Sequence, residues 1–169
     1  MFALLQALTP KHLISRLIGK IAASENQLVK TFFIRTFKKI YNVSLHNAKQ
    51  KRSKDYNSFN DFFSRKIELK TDYEPIAKNI IYSPAEGSIS QIGKIQDGQL
   101  LQAKGHNYSL SDLSKMDTKP FLNGSFITIY LSPSNYHRVH LPVSAQLQKT
   151  ISVPGSLYSV NSNTERSIK

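Results

Sequence analysis

The chain of 169 residues has no cysteine and no tryptophan, and its 11 Asp+Glu are outnumbered by 23 Lys+Arg. Without cysteine there is no disulfide framework, no thiolate zinc site, no iron–sulfur cluster and no thiol nucleophile. No stretch approaches the roughly 20 apolar residues that a membrane-spanning helix needs. The segment from Met1 to Leu8 is apolar, but no basic region precedes it and no small-residue cleavage site follows, so no signal peptide is expected. There is no internal repeat and no low-complexity tract. What is present is a 40% hydrophobic content with 9 Phe and 8 Tyr, which argues for a folded chain with a real core. The length fits one domain, or a small domain with an appended helical arm.

The charge is unevenly placed. Residues 1–70 hold 14 Lys/Arg and 4 Asp/Glu, a balance of +10, whereas residues 71–169 hold 9 and 7, only +2. The basic first part calls for an anionic partner: a lipid surface, nucleic acid or an acidic protein. Thr9-Pro10 reads as a helix start, followed by Leu13, Ile14, Leu17, Ile18 and Ile21 at helical spacing. A second helix is predicted from about Asn26 to Tyr41. Leu28, Val29, Phe32, Phe33, Phe37 and Ile40 form a wide apolar face there, flanked by Lys30, Arg35, Lys38 and Lys39. Ser44 and Ser58 suit the caps of two shorter helices, the second carrying Phe59, Phe62 and Phe63, and residues 49–57 read as a polar connection.

Near Asn79 the pattern turns to strands. Ile80-Ile81-Tyr82 and Ser88 to Ile95 flank the turn Pro84-Ala85-Glu86-Gly87. Asp97-Gly98 signals a hairpin between Ile92–Ile95 and Leu100–Ala103. Ser125–Leu131 is rich in β-branched and aromatic residues, and Leu147, Lys149, Ile151 and Val153 alternate with polar neighbours. The expected fold class is α+β: a basic amphipathic helical arm over 1–70 and an antiparallel, β-rich body over 71–169. The arm suits either packing as a helical hairpin or lying on anionic lipid, where clustered Phe, Leu and Ile beside Lys and Arg give apolar burial plus electrostatic attraction.

Three polar clusters can carry chemistry. Tyr136-His137-Arg138-Val139-His140 follows Ser132-Pro133-Ser134-Asn135. On a strand, His137 and His140 face opposite sides, which favours separate proton-handling roles over a shared metal, and no metal site is expected. Glu86 puts a carboxylate on a tight turn. Lys104, within Gln102 to Tyr108, is suited to an anionic group.

In order, these clusters resemble the phosphatidylserine decarboxylase family in its proteobacterial form. The resemblance runs through Lys38-Lys39-Ile40-Tyr41, Phe59-Asn60-Asp61-Phe62-Phe63-Ser64-Arg65, Pro84-Ala85-Glu86-Gly87, Ile89 to Ile95 and Gln102 to Leu110. Its most specific stretch is Tyr130-Leu131-Ser132-Pro133 with Tyr136 to Pro142, followed by Val153-Pro154-Gly155 and Ser159-Val160-Asn161.

The resemblance implies a lyase that converts phosphatidylserine to phosphatidylethanolamine plus CO2, in phospholipid biosynthesis. Loss of CO2 leaves a carbanion that needs an electron sink, and in this family a pyruvoyl group made from an internal serine supplies it through a Schiff base with the substrate amine. The precursor, a zymogen, cleaves itself at that serine with the help of an Asp–His pair. By position, His140 corresponds to the relay base that activates the serine, His137 to the neighbouring histidine associated with decarboxylation, and Glu86 stands at the relay Asp. Lys104 and Tyr136 are substrate-binding candidates. The implied partners are phosphatidylserine and an anionic membrane surface, with a peripheral location on the cytoplasmic face of the bacterial inner membrane.

Two departures bear on activity. Glu86 is one methylene longer than Asp, so its hydrogen bond to the imidazole must be re-aimed. The serine that the resemblance implies lies in a Leu-Gly-Ser-Thr-type motif, and none occurs among the 169 residues; the Gly-Ser pairs are Gly87-Ser88, Gly124-Ser125 and Gly155-Ser156. The chain is expected to be a truncated product or fragment that makes no pyruvoyl group by itself, lacks decarboxylase activity alone, and leaves strand edges and apolar surface exposed. A non-catalytic, membrane-bound partner of the missing C-terminal segment or of a homologous chain is the alternative. A nucleic-acid-binding module would rest on the basic arm alone, and no nucleic-acid partner is expected.

Overall fold

The computed structural model describes residues 11–68, 80–101 and 107–154. Its elements are α1 (Lys11–Ala22), α2 (Gln27–Tyr41), a 3₁₀ turn (Ser53–Asp55) and α3 (Phe59–Phe63). There follow β1 (Ser88–Gln96), β2 (Gln99–Leu101), β3 (Asn107–Ser109), α4 (Leu110–Ser114), a second 3₁₀ turn (Lys119–Phe121) and β4 (Ser125–Tyr130). The class is α+β, with a four-stranded sheet in the order β3-β2-β1-β4. The expected helix start at Thr9-Pro10, the end of the strand at Ala103, and Lys104 lie outside the described residues.

The described residues fall into two compact units. One holds 21–68, 80–90 and 127–149; the other holds 11–20, 91–101, 107–126 and 150–154. In the first unit α2 starts where its sequence predicts, because the Asn26 carboxamide oxygen accepts from the Leu28 and Val29 amides. It stops at Asn42, whose left-handed backbone (φ 49°) returns its N–H to the Lys38 carbonyl. The residues this helix buries are Ile34 and Lys30; Leu28 (83% exposed), Phe32 (64%) and Ile40 (67%) face away from the core. Two readings are corrected here. The apolar face is split between two sides of the helix, and Lys30, read as a flank of that face, is buried. Its ammonium donates to the Tyr56 carbonyl, which offsets the burial of its charge.

The core of this unit gathers Ile34, Val43, Leu45, Ala48, Tyr56 and Phe62, with Phe37 and Phe59 packed against it. Aromatic rings dominate it edge to face: Tyr56 meets Phe62 at 5.4 Å and Phe37 meets Phe59 at 5.2 Å. Ser58 caps α3 by accepting from the Asp61 amide, as its position predicts. Residues 49–57 are more than a polar connection, since Tyr56 is fully buried there and its hydroxyl donates to the Gln50 carbonyl at 2.7 Å. Burial also pushes the Tyr56 phenol above its ordinary pKa. Ser44 caps no helix; its hydroxyl accepts from the His46 amide in a local turn.

Ile80-Ile81-Tyr82 forms no strand and is linked to residue 142 by one backbone bond, Tyr82 N–H to the Pro142 carbonyl at 2.9 Å. Residues 147–153 are likewise irregular and exposed, so their alternation marks no strand. A period of two does not by itself make a ladder.

In the second unit, Asp97 (φ 49°) and Gly98 (φ 70°) make the two-residue turn of the β1–β2 hairpin. Both central residues are left-handed, which suits an Asp-Gly pair. The register sets the buried Ile95 opposite the buried Leu100. Ser109 caps α4 by accepting from the Asp112 amide, an S-x-x-D signal that sequence reading passed over. Replacement of Phe62 by Ala is expected to cost about 3–5 kcal/mol of stability in urea unfolding, since this fully buried ring touches three other aromatic residues.

Candidate functional site

The first unit also holds the chemistry-bearing loop 132–140. Ser132-Pro133-Ser134-Asn135 closes on itself. The Asn135 carboxamide oxygen accepts from both the amide and the hydroxyl of Ser132, each at 2.7 Å, and the Asn135 N–H donates to the Ser132 carbonyl at 3.0 Å. The Asn135 amide group then donates outward to Glu86 Oε1 at 3.1 Å. His137 donates from Nε2 to the Ser132 carbonyl at 3.1 Å, because a carbonyl can only accept. His140 Nε2 meets the Tyr136 hydroxyl at 2.9 Å, with the two rings stacked at 5.5 Å.

Three consecutive residues, the last of α3 and the two that follow it, hold this loop. Phe63 stacks on the His137 ring at 4.1 Å. The Ser64 carbonyl accepts from Arg138 Nε at 2.7 Å. Arg65 donates from one terminal nitrogen to the carbonyls of Ser134 (2.9 Å) and Asn135 (3.2 Å). Arg65 is only 5% exposed, and its guanidinium lies over the Phe62 ring at 5.8 Å. Its other terminal nitrogen, Nη1, is buried with no hydrogen-bond partner. Burial lowers the Arg65 pKa, while the charges of Tyr56 and Glu86 act the other way. The side of the loop facing Glu86 is fastened by the backbone: His140 N–H donates to the Pro84 carbonyl at 2.8 Å. Gly87 follows Glu86 because a Cβ there would collide with the Tyr130 carbonyl oxygen.

Of the predicted residues, Glu86, Tyr136 and His140 line two cavities that share Tyr136. A cavity of about 260 Å³ is lined by Glu86, Asn135, Tyr136, Arg65 and His46 among others. A second, of about 410 Å³, is lined by Tyr136 and His140 with Arg138, Lys49 and Lys66. Glu86 and His140 are exposed, Tyr136 is buried and His137 is half-buried. Glu86 is bonded to Asn135 and His140 to Tyr136, so the carboxylate and the imidazole are not hydrogen-bonded to each other. His137 is turned away to Phe63. Lys104, the other substrate-binding candidate, is outside the described residues. Among the described residues no cluster of three His, Asp or Glu groups is arranged to hold a metal ion.

Sequence reading missed Asn135, Arg65 and Arg138. The Ser-x-x-Asn spacing signals the loop closure, but no local pattern signals an arginine whose partners lie 69 and 70 residues away.

The chain matches the protein family described as phosphatidylserine decarboxylase over residues 59–168, and the family described as PSD over residues 1–42. It is 48% identical to the phosphatidylserine decarboxylase proenzyme of Pseudoalteromonas translucida, over 97% of this chain and 58% of that protein. With the proenzyme of Hahella chejuensis the identity is 44%, over 99% and 58%; with that of Psychrobacter cryohalolentis it is 46%, over 99% and 61%. The chain thus spans about three-fifths of the length of these relatives.

Replacing Arg65 by Met should speed hydrogen exchange at the Asn135 amide and cost about 1–3 kcal/mol of stability, because two loop carbonyls lose a charged donor. Unchanged protection at Asn135 would show that the loop holds without the clamp.

Proposed function

The chain belongs to the phosphatidylserine decarboxylase family, and on that premise we propose that it carries the N-terminal part of a lyase converting phosphatidylserine to phosphatidylethanolamine and CO2. The observation that carries the proposal is the fastened loop 132–140, which presents an exposed imidazole, His140, with its Nε2 on the Tyr136 hydroxyl. The Tyr136 hydroxyl holds Nε2, and because the His140 ring is exposed an incoming serine hydroxyl can take the place of Tyr136 there and be activated as a nucleophile. The relatives' name of proenzyme agrees with maturation at such a serine.

The pyruvoyl group, when formed, supplies the electron sink for the carbanion. The residues present suit its formation in part. His140 is available as base, and the carboxylate that would orient it, Glu86, is held by Asn135 instead. Tyr136 keeps the imidazole in place by stacking and by its hydroxyl. His137, fixed as the Nε2–H tautomer by the Ser132 carbonyl, is left with Nδ1 as an acceptor of a proton or a hydrogen bond. The serine-bearing segment comes from the part of the relatives that these 169 residues do not match. Ile89 and Ile127, each more than half exposed on β1 and β4, offer apolar surface for it.

The reading is tested by intact mass and by CO2 release from phosphatidylserine vesicles. Alone, the chain should stay at 19.1 kDa and release no CO2. Co-expressed with the unmatched C-terminal part of the Pseudoalteromonas relative it should turn substrate over, and His140→Ala should abolish both processing and turnover. Failure of the joined pair to release CO2 would sink the proposal.

We further propose that α1 and α2 hold the protein at the cytoplasmic face of the bacterial inner membrane as a peripheral arm. Leu13, Leu17 and Ile18 of α1 and Leu28, Phe32 and Ile40 of α2 are all more than half exposed, beside basic residues such as Arg16, Arg35 and Lys39. No helix among the described residues is long and apolar enough to cross a membrane. Sedimentation with vesicles containing anionic lipid should fall as salt rises, and Phe32→Glu should weaken it at every salt concentration.

A further inference from the structure

The strand-like bridge between Ala48 and Ile67 is antiparallel, and two backbone bonds flank it: Lys49 N–H to the Lys66 carbonyl (2.8 Å) and Glu68 N–H to the Asn47 carbonyl (2.7 Å). This register sets Lys49 directly opposite Lys66. Residues opposite one another in an antiparallel pair project to the same face, and like charges so placed repel. The buried Ala48 points inward, so both lysines point outward, where they line the 410 Å³ cavity with Tyr136, Arg138 and His140. Neither lysine makes an ion pair or a side-chain hydrogen bond among the described residues. The one carboxylate in the lining, Glu68, is engaged by Lys51 at 3.0 Å. Arg138 uses Nε for the Ser64 carbonyl, and its two terminal nitrogens make no hydrogen bond among the described residues. Three cations therefore converge on an open cavity whose one lining carboxylate, Glu68, is already paired with Lys51, immediately beside the His140–Tyr136 pair.

We infer that Lys49, Lys66 and Arg138 form a phosphate-binding subsite next to His140. A phosphate oxygen cluster satisfies two repelling ammoniums at once and suits the free fork of an arginine. The subsite extends the proposed decarboxylase reading, on which it rests for its natural ligand: the phosphodiester of a phospholipid headgroup, bound so that the rest of the headgroup lies along the His140 ring. The Lys49–Lys66 repulsion is then relieved on binding.

The ring resonances of His140 report on this cavity without any turnover, so a failure here leaves the decarboxylase proposal to its own CO2 test. At fixed ionic strength, glycerophospho-L-serine should shift them saturably and L-serine should not. The Lys49→Gln/Lys66→Gln double variant should bind glycerophospho-L-serine about tenfold more weakly, and Lys54→Gln, an equal charge change away from the cavity, should bind it like the wild type. Tighter binding of glycerophospho-L-serine than of inorganic phosphate assigns the subsite to a lipid headgroup; the reverse assigns it to free phosphate. Independently, Lys66→Gln should raise the melting temperature at low salt and lose that gain when phosphate is added to both proteins. The inference is overturned by any of three results: no saturable shift, an equal response to L-serine, or an equal loss in Lys54→Gln.

Discussion

A guanidinium removed from water must find acceptors, and Arg65 finds them in the main chain of a segment far along the sequence. Its bonds to the Ser134 and Asn135 carbonyls fix where loop 132–140 lies relative to α3, and Arg138 answers from the loop to the Ser64 carbonyl. The Phe63–His137 stack closes the third contact. Lys30 follows the same rule, with its buried ammonium directed at the Tyr56 carbonyl. In both cases a cation meets an irregular stretch of backbone whose carbonyl has no ladder partner. One charge thus meets two burial problems, its own and that of the carbonyl.

The arrangement of the site follows from that fixed loop. With the main chain at 134 and 135 held, Asn135 bridges the loop's own closure to Glu86, and Tyr136 comes to lie between two cavities with its hydroxyl on His140. The two histidines diverge because their environments do. His137 is held between a phenyl ring and a carbonyl, whereas His140 is exposed beside three cations. Groups of one chemical type, three residues apart, are thereby made chemically distinct.

Much of the local structure was legible in the sequence for reasons that act over a few residues. Asn26 and Ser58 cap helices with their own side-chain oxygens, and Asp97-Gly98 makes its turn from two residues that tolerate a left-handed backbone. Where the reading erred, a distant partner decided the matter. Lys30 read as a flank of the apolar face, and the Tyr56 carbonyl made it part of the interior. Ser44 had the chemistry of a cap, but no helix followed. The alternation over 147–153 found no strand to pair with among the described residues, and Tyr56 sat in a polar stretch yet became the centre of an aromatic core.

By itself the sequence determined the α+β class, the helix starts at Asn26 and Ser58, the hairpin, the concentration of basic charge in the first 70 residues, and the residue types gathered at Glu86, His137 and His140. These depend on backbone conformational preference, capping and composition, all of which are local. Only the tertiary structure decided which faces of α2 are buried, that Glu86 bonds Asn135 while His140 bonds Tyr136, and that Lys49 stands opposite Lys66. Those outcomes depend on register and on contacts spanning tens of residues, where the free energy of one side chain is set by a partner that its own neighbourhood in the chain does not name.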